Sequence, residues 1–373
     1  MTRVKLDALT GLRIVAAGMI VAHHSRALQI PVPNYALDHG VSFFFVLSGF
    51  IIAYAYPKLD SKGEVFNFLV ARVARIWPAH FTALLLVVTL LQMPLDRTFV
   101  ANLLLLHGWV PSWPWYFSYN APSWSISTEL FFYIVFPVLI FRWNNSWWWK
   151  WIASALLVGS LVWLGGALHL PDVSQNDEPT LHGLLYINPF ARLFEFTTGM
   201  VAYSAFQNLQ SVSRKLDDVV FTFVEILVII LAGYSIVSHA SLVFLAPYFQ
   251  GTGMQWLGHA SDVLIFPFVV FVFAFGRGWL SRFFGNPPMI LLGEISFSVY
   301  LVHATVFGFY SRNWQIDHTS PDYLGLVICV AATLALAFMI WAVIEVPSRT
   351  AAKRWLKRNS AIPSPPTAIE ERV

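Results

Sequence analysis

Charge is what this chain has least of. Asp, Glu, Lys and Arg make up 12% of its 373 residues, against 57% hydrophobic and 16% aromatic side chains, and its mean hydropathy is +0.63. A soluble domain carries about 25% charged residues. This composition cannot coat a water-facing surface, which excludes the two or three soluble domains the length would otherwise accommodate. Cysteine is nearly missing too. The one cysteine, Cys329, lies in the middle of an apolar run, which excludes an intrachain disulfide and a cysteine-based metal cluster and argues against a thiol nucleophile. Nor is there a basic excess for a nucleic acid. The formal net charge of +3 reads as orientation in a bilayer with anionic headgroups.

What is abundant is apolar sequence. Ten runs are long enough to cross a bilayer, about 17–25 residues each. They fall at 9–28, 40–56, 76–94, 122–142, 147–169, 187–206, 218–238, 256–275, 289–310 and 322–345. A weaker stretch at 98–110 is too short to span and reads as re-entrant or surface-lying, and the connection 239–255 is apolar enough for the membrane interface. The expected fold is all-α: a polytopic membrane bundle of about ten transmembrane helices. Arg13 interrupts the first run, so no cleaved signal peptide is expected there.

Charge tests that count. With the N-terminus inside, 18 of the 23 Lys and Arg residues fall in cytoplasmic segments, and only Arg26, Arg97 and Arg312 fall outside. Such a bias is what the positive-inside rule expects when both termini are cytoplasmic. Residues 1–349 then form one integral membrane domain. Residues 350–373 form a cytoplasmic basic amphipathic stretch followed by a disordered tail.

Ionisable residues inside spans are costly and point to function. His24, Glu129, Arg192, Glu195, His259, Asp262 and His303 all fall toward the outer ends of their spans. Arg13 lies near the cytoplasmic end of the first span, and Arg72 and Arg75 share one helical face just before the third. A basic pair in that position is ordinarily orientation charge, but beside a third arginine it can hold phosphates. Arg13 and His24 are eleven residues apart, about 16 Å along a helix and about 20° from a shared face. His23 points about 100° away. One wall therefore carries a cation at one end and an imidazole at the other. That suits a long thin ligand with anionic groups at one end and a reactive group at the other, the shape of a coenzyme A thioester.

Several segments, in order, resemble the membrane-bound acyltransferase-3 family, which O-acylates sugars and other extracytoplasmic acceptors. "LDALTGLRIVAAGMIVAHH" is similar to its opening motif, with Arg13 and His24 filling the arginine–ten residues–histidine spacing. "GVSFFFVLSGFIIAY", "RVARIWPAH", "PSWSISTELFFYIVFP", "RLFEFTTGM", "LGEISFSVYLVH" and "IEVPSR" resemble later signatures, over roughly residues 6–349. Two positions depart: Ser42 stands where the family often has an acid, and Leu130 follows Glu129 where a second acid is common. An appended esterase-like domain is not expected, so an acyl relay would finish within the membrane domain or with another protein.

The resemblance implies an acyl-CoA donor, acetyl-CoA first among candidates, bound from the cytoplasm with its phosphates near Arg13, Arg72 and Arg75. It implies no metal. His24 is expected to act as general base on the acceptor hydroxyl, with Glu129 orienting it or holding its proton. A variant has His24 take the acyl group itself. Trp124, Ser125, Ser127, Tyr133, Arg192, Glu195, Tyr300 and His303 are expected at the substrate. Arg192 either stabilises the oxyanion or pairs with Glu195, and Ser48 and Gly49 read as close helix packing. The partners expected are acyl-CoA, a glycan or lipid-linked saccharide acceptor and membrane lipids, with no nucleic acid. The setting expected is a bacterial inner membrane. Two alternatives stand beside this one: a transporter or flippase using the same outer polar cavity, and an acyltransferase acting on a small molecule such as a macrolide.

Overall fold

The computed structural model describes residues 5–213, 215–238, 251–314 and 320–359. The expected tail at 360–373 and most of the 239–255 connection lie outside them. Fifteen α-helices are described, with no strand among the described residues. They are α1 (Asp7–His24), α2 (Gly40–Ala55), α3 (Lys62–Leu90), α4 (Arg97–Leu103), α5 (Trp113–Tyr116), α6 (Trp124–Ile140), α7 (Trp143–Ala167) and α8 (Pro189–Ser213). There follow α9 (Asp218–Ser238), α10 (Thr252–Ala260), α11 (Ile265–Phe273), α12 (Trp279–Phe284), α13 (Pro287–Asn313), α14 (Tyr323–Ile340) and α15 (Val346–Asn359). The boundary drawn at residue 349 falls within α15.

Local chemistry starts the helices where they start. Ser61 and Glu64 form a reciprocal capping box at α3, the Ser61 hydroxyl accepting from the Glu64 amide at 3.1 Å and the Glu64 carboxylate from the Ser61 amide at 2.9 Å. At α13 the Asn286 side chain accepts from the Met289 amide at 2.9 Å, ahead of prolines in the first turn. Asp322 does the same for α14.

Eight helical stretches are long and apolar enough to cross a membrane, two fewer than the ten runs counted in the sequence. The two that fall short are α1 and α8. Their runs carry Arg13, His23 and His24, and Arg192 and Glu195, and polar groups like these are tolerated because neighbouring helices enclose them. The eighth run is also not one helix: it breaks at Ser261–Val263 between α10 and α11, where Asp262 is buried. The 98–110 stretch becomes the short α4 and a single turn at His107–Trp109.

Two close crossings set the frame. A Cβ on Gly293 of α13 would lie 1.8 Å from the Thr10 carbonyl oxygen of α1, and one on Gly199 of α8 would lie 1.9 Å from that of Val46 in α2. Only a hydrogen side chain lets these backbones approach so closely. Thr10 meets Gly293 while His24 meets His303, so α1 and α13 run in the same direction. Ser42 meets Arg192 while Tyr54 meets Phe206, so α2 and α8 also run together. Among α2, α6 and α8 lies an aromatic core that includes Phe45, Phe50, Phe132, Phe196 and Phe206.

Candidate active site

Because α1 and α13 are parallel, the bundle has two chemically distinct ends. At the end holding the N-terminus of α1, the side chains of Arg13, Arg72 and Arg75 line one cavity of about 830 Å³, openings included. Arg72 and Arg75 are three residues apart on α3 and so share a face. Arg72 is buried, with its guanidinium over the Tyr56 and Phe68 rings. Glu345, which receives the Ser298 hydroxyl at 2.5 Å, lies within electrostatic reach of Arg13.

The middle of the cavity wall carries Ser48, Glu129 and Tyr133, and its far part carries Ser125 and Tyr300. Ser48 is therefore not only a packing residue: its hydroxyl donates to the Glu129 carboxylate at 2.6 Å. The Tyr133 hydroxyl also bonds that carboxylate, and Arg75 and Arg72 act on it electrostatically. The Tyr300 hydroxyl donates to the Pro122 carbonyl at 2.7 Å and accepts from the Ser125 hydroxyl at 2.7 Å.

Beyond Tyr300, outside the cavity lining, lies His303, with ring centroids 6.0 Å apart. Nε2 of His303 is 3.0 Å from Nδ1 of His24. The partner expected for His24 was Glu129. The structure puts the imidazole of His303 there instead, because α1 turns His24 toward α13, while Glu129 on α6 faces α2. No hydrogen bond or ion pair joins Glu129 to His24.

The remaining expected residues divide into two groups. Ser125, Tyr133 and Tyr300 line the cavity; Trp124, Ser127, Arg192 and Glu195 do not. The Ser127 hydroxyl donates to the Leu105 carbonyl at 2.5 Å and ties α6 to the turn after α4. Trp124 packs between Phe45 and Tyr186. Arg192 is 1% exposed and lies 3.0 Å from the carboxylate of Glu195. It also donates to Ser42 at 2.8 Å and faces the Phe45 and Tyr186 rings. The serine standing where an acid is common thus still meets the arginine, as a neutral acceptor.

Asp262, counted among the polar groups of the spans, belongs to a second polar set whose other members, His39 and Ser235, went unread in the sequence. His39 bonds Asp262 at 2.7 Å and lies 2.9 Å from the Gly258 carbonyl, while Asp262 also receives the Ser235 hydroxyl. This ties α2, α9 and the break between α10 and α11 together. The "DH" pair at the mouth of the second apolar run was the available signal.

Residues 6–342 match the family profile described as an acyltransferase domain, the acyltransferase-3 profile. The O-acetyltransferase OatA of Staphylococcus aureus is 23% identical over 92% of this chain and 57% of its own length. A putative O-acetyltransferase, SAR0937, from the same species is 24% identical over 96% of this chain and 60% of its own. Acyltransferase MdmB of Streptomyces mycarofaciens is 34% identical over 36% of this chain and 39% of its own. The chain thus spans about three fifths or less of the length of these relatives. No solved structure matches. With the profile covering nearly the whole chain and the arginine-lined cavity built from its motifs, this chain belongs to the membrane-bound acyltransferase-3 family.

Proposed function

We propose that this integral membrane protein transfers a short acyl group, acetyl first, from a cytoplasmic acyl-CoA to a hydroxyl of an extracytoplasmic glycan or lipid-linked saccharide. The observation that carries this is the cavity. It begins at Arg13, Arg72 and Arg75 and extends to Tyr300, beside the His303–His24 pair. Three guanidiniums suit the phosphates of coenzyme A, since Arg meets phosphate oxygens through paired N–H donors. The pantetheine arm would rise past Glu129, whose carboxylate accepts from its amide N–H groups. The thioester would then arrive at the far end, near His24.

There His24 serves as general base. It takes the proton of the acceptor hydroxyl while that oxygen attacks the thioester carbonyl, and the departing thiolate takes the proton back. The two relatives named O-acetyltransferases support acetyl as the group and oxygen as the acceptor atom. We place the arginine end in the cytoplasm, with both termini there, in a bacterial inner membrane. The test is mass spectrometry of surface glycans from a deletion strain complemented with wild type or with His24→Ala. Loss of acetyl esters on deletion, restored only by wild type, supports the reading. Normal esters with His24→Ala would remove His24 from the chemistry, and esters unaffected by deletion would remove the glycan.

A further inference from the structure

We infer that His303 is the positioning residue for His24, fixing the proton on Nδ1 of His24 and so presenting its Nε2 as the base. This rests on His24 being the general base, as proposed above. Two backbone carbonyls, which can only accept hydrogen bonds, set the tautomers of both rings. The Val299 oxygen is 3.2 Å from Nδ1 of His303. That nitrogen therefore carries the hydrogen of the neutral ring, and Nε2 of His303 is left with a lone pair. The Ile20 oxygen is 3.0 Å from Nδ1 of His24, so that nitrogen also carries a hydrogen. Nδ1–H of His24 is then shared between the Ile20 carbonyl and Nε2 of His303, 3.0 Å away.

The consequence is a directed base. Nε2 of His24 keeps its lone pair and has no hydrogen-bond partner among the described residues. A protonated His303 would set its Nε2–H against Nδ1–H of His24, donor against donor, so the arrangement holds only with His303 neutral. His303 is fully buried, and its hydrogen bonds go to the backbone of Val299 and Tyr300 and to His24. Its ring is held between Tyr300 and Phe307, with centroids at 6.0 and 6.3 Å. Tyr300 is in turn anchored through Ser125 and Pro122. The part played is that of the carboxylate in a hydrolytic triad, holding tautomer and orientation, but performed by a neutral acceptor. During transfer the acceptor proton passes to Nε2 of His24 as the new C–O bond forms. The C–S bond then breaks and the thiolate leaves with that proton, while His303 neither gains nor loses one. The charged and titratable groups facing His24 are His23 on its own helix, Arg26 in the next turn, Asp38 ahead of α2, and His303 on α13.

The experiment uses the full chain in lipid nanodiscs with 15N-labelled histidine, the His24 signals being those lost in His24→Gln. Nitrogen shifts are expected to show the hydrogen on Nδ1 of His24; finding it on Nε2 overturns the inference whether or not the enzyme is active. In parallel, free-thiol release from acetyl-CoA is followed with isolated cell envelopes as the acceptor source. His303→Gln, whose side-chain oxygen can still accept, should stay within about tenfold of wild type. His303→Phe should lose about 100-fold or more in kcat at an unchanged KM for acetyl-CoA. His303→Glu supplies an anionic acceptor, which favours the imidazolium of His24 and should move the acid limb of the pH–rate profile about one unit or more higher. Equal loss in the Gln and Phe variants, or an unmoved limb in the Glu variant, contradicts a positioning role. Full activity of His24→Ala would instead defeat the base assignment and leave the nitrogen measurement standing.

Discussion

Arg13 and His24 share one face of one helix, and what each does follows from what surrounds it. Arg13 opens onto the cavity with Arg72 and Arg75, and neither Arg13 nor Arg75 forms an ion pair among the described residues. Replacing Arg75 with Gln should therefore weaken acetyl-CoA binding, read by calorimetry, by about tenfold or more while kcat at saturating donor changes little. A fall in kcat at unchanged affinity would place Arg75 at the reacting atoms instead. The shared face was legible because helical geometry converts a spacing of eleven residues into an angle. The partner of His24 was not, since His303 lies 279 residues further on and nothing local links them. Glu129 looked the better partner because carboxylates hold histidines in familiar triads. Its real neighbours, Ser48 and Tyr133, depend on how α6 packs against α2.

At the scale of the helix, position is set by close crossings. Gly293 lets α13 meet α1 at Thr10, and ten residues later the same pair of helices brings His303 to His24. Gly293→Ala should cost about 1–3 kcal/mol by overpacking and should lower activity by separating the two imidazoles. Thermal unfolding of the purified protein, together with acetyl transfer, checks both; unchanged activity would mean that the imidazole pair tolerates the shift. The turn between α4 and α5 carries its own pH dependence. His107 is fully buried beside Ser123, and burial, reinforced by His80, pushes its pKa down to about 3. Once unfolded it titrates near its ordinary value of about 6.5. The stability it confers is thus complete above about pH 6.5 and is lost as pH falls toward 3. Melting temperature in the wild type should drop across that window, and His107→Gln should flatten the slope; an equal slope would place the sensitivity in another group. Apolar runs foretold most of the long helices. The break at Ser261–Val263 was hidden because apolar composition on both sides reads as one continuous run.

For the whole molecule, separation of the two ends matters more than the number of crossings. Arg13, Arg72 and Arg75 stand at one end and His24 and His303 at the other, with α1 carrying one of each. Which end faces the cytoplasm rests on the charge bias. Single cysteines can test it in a Cys329→Ala background, Cys329 being the chain's one cysteine and buried. Asp60 and Asn176 lie in exposed loops. A membrane-impermeant maleimide should label Asn176→Cys on intact cells and Asp60→Cys only after permeabilisation; the reverse would invert the orientation. The sequence counted ten runs and composition alone supports eight membrane-capable stretches among the described residues, because α1 and α8 are apolar enough to be noticed and too polar to stand alone in lipid.

The most direct measurement is a pair on the full chain in nanodiscs: calorimetric binding of acetyl-CoA, and acetyl transfer to isolated cell envelopes, each for wild type and His24→Ala. Both proteins should bind acetyl-CoA equally, and His24→Ala should lose about 100-fold or more in transfer. Wild-type transfer by His24→Ala, or failure of the wild type to bind acetyl-CoA at all, would contradict this.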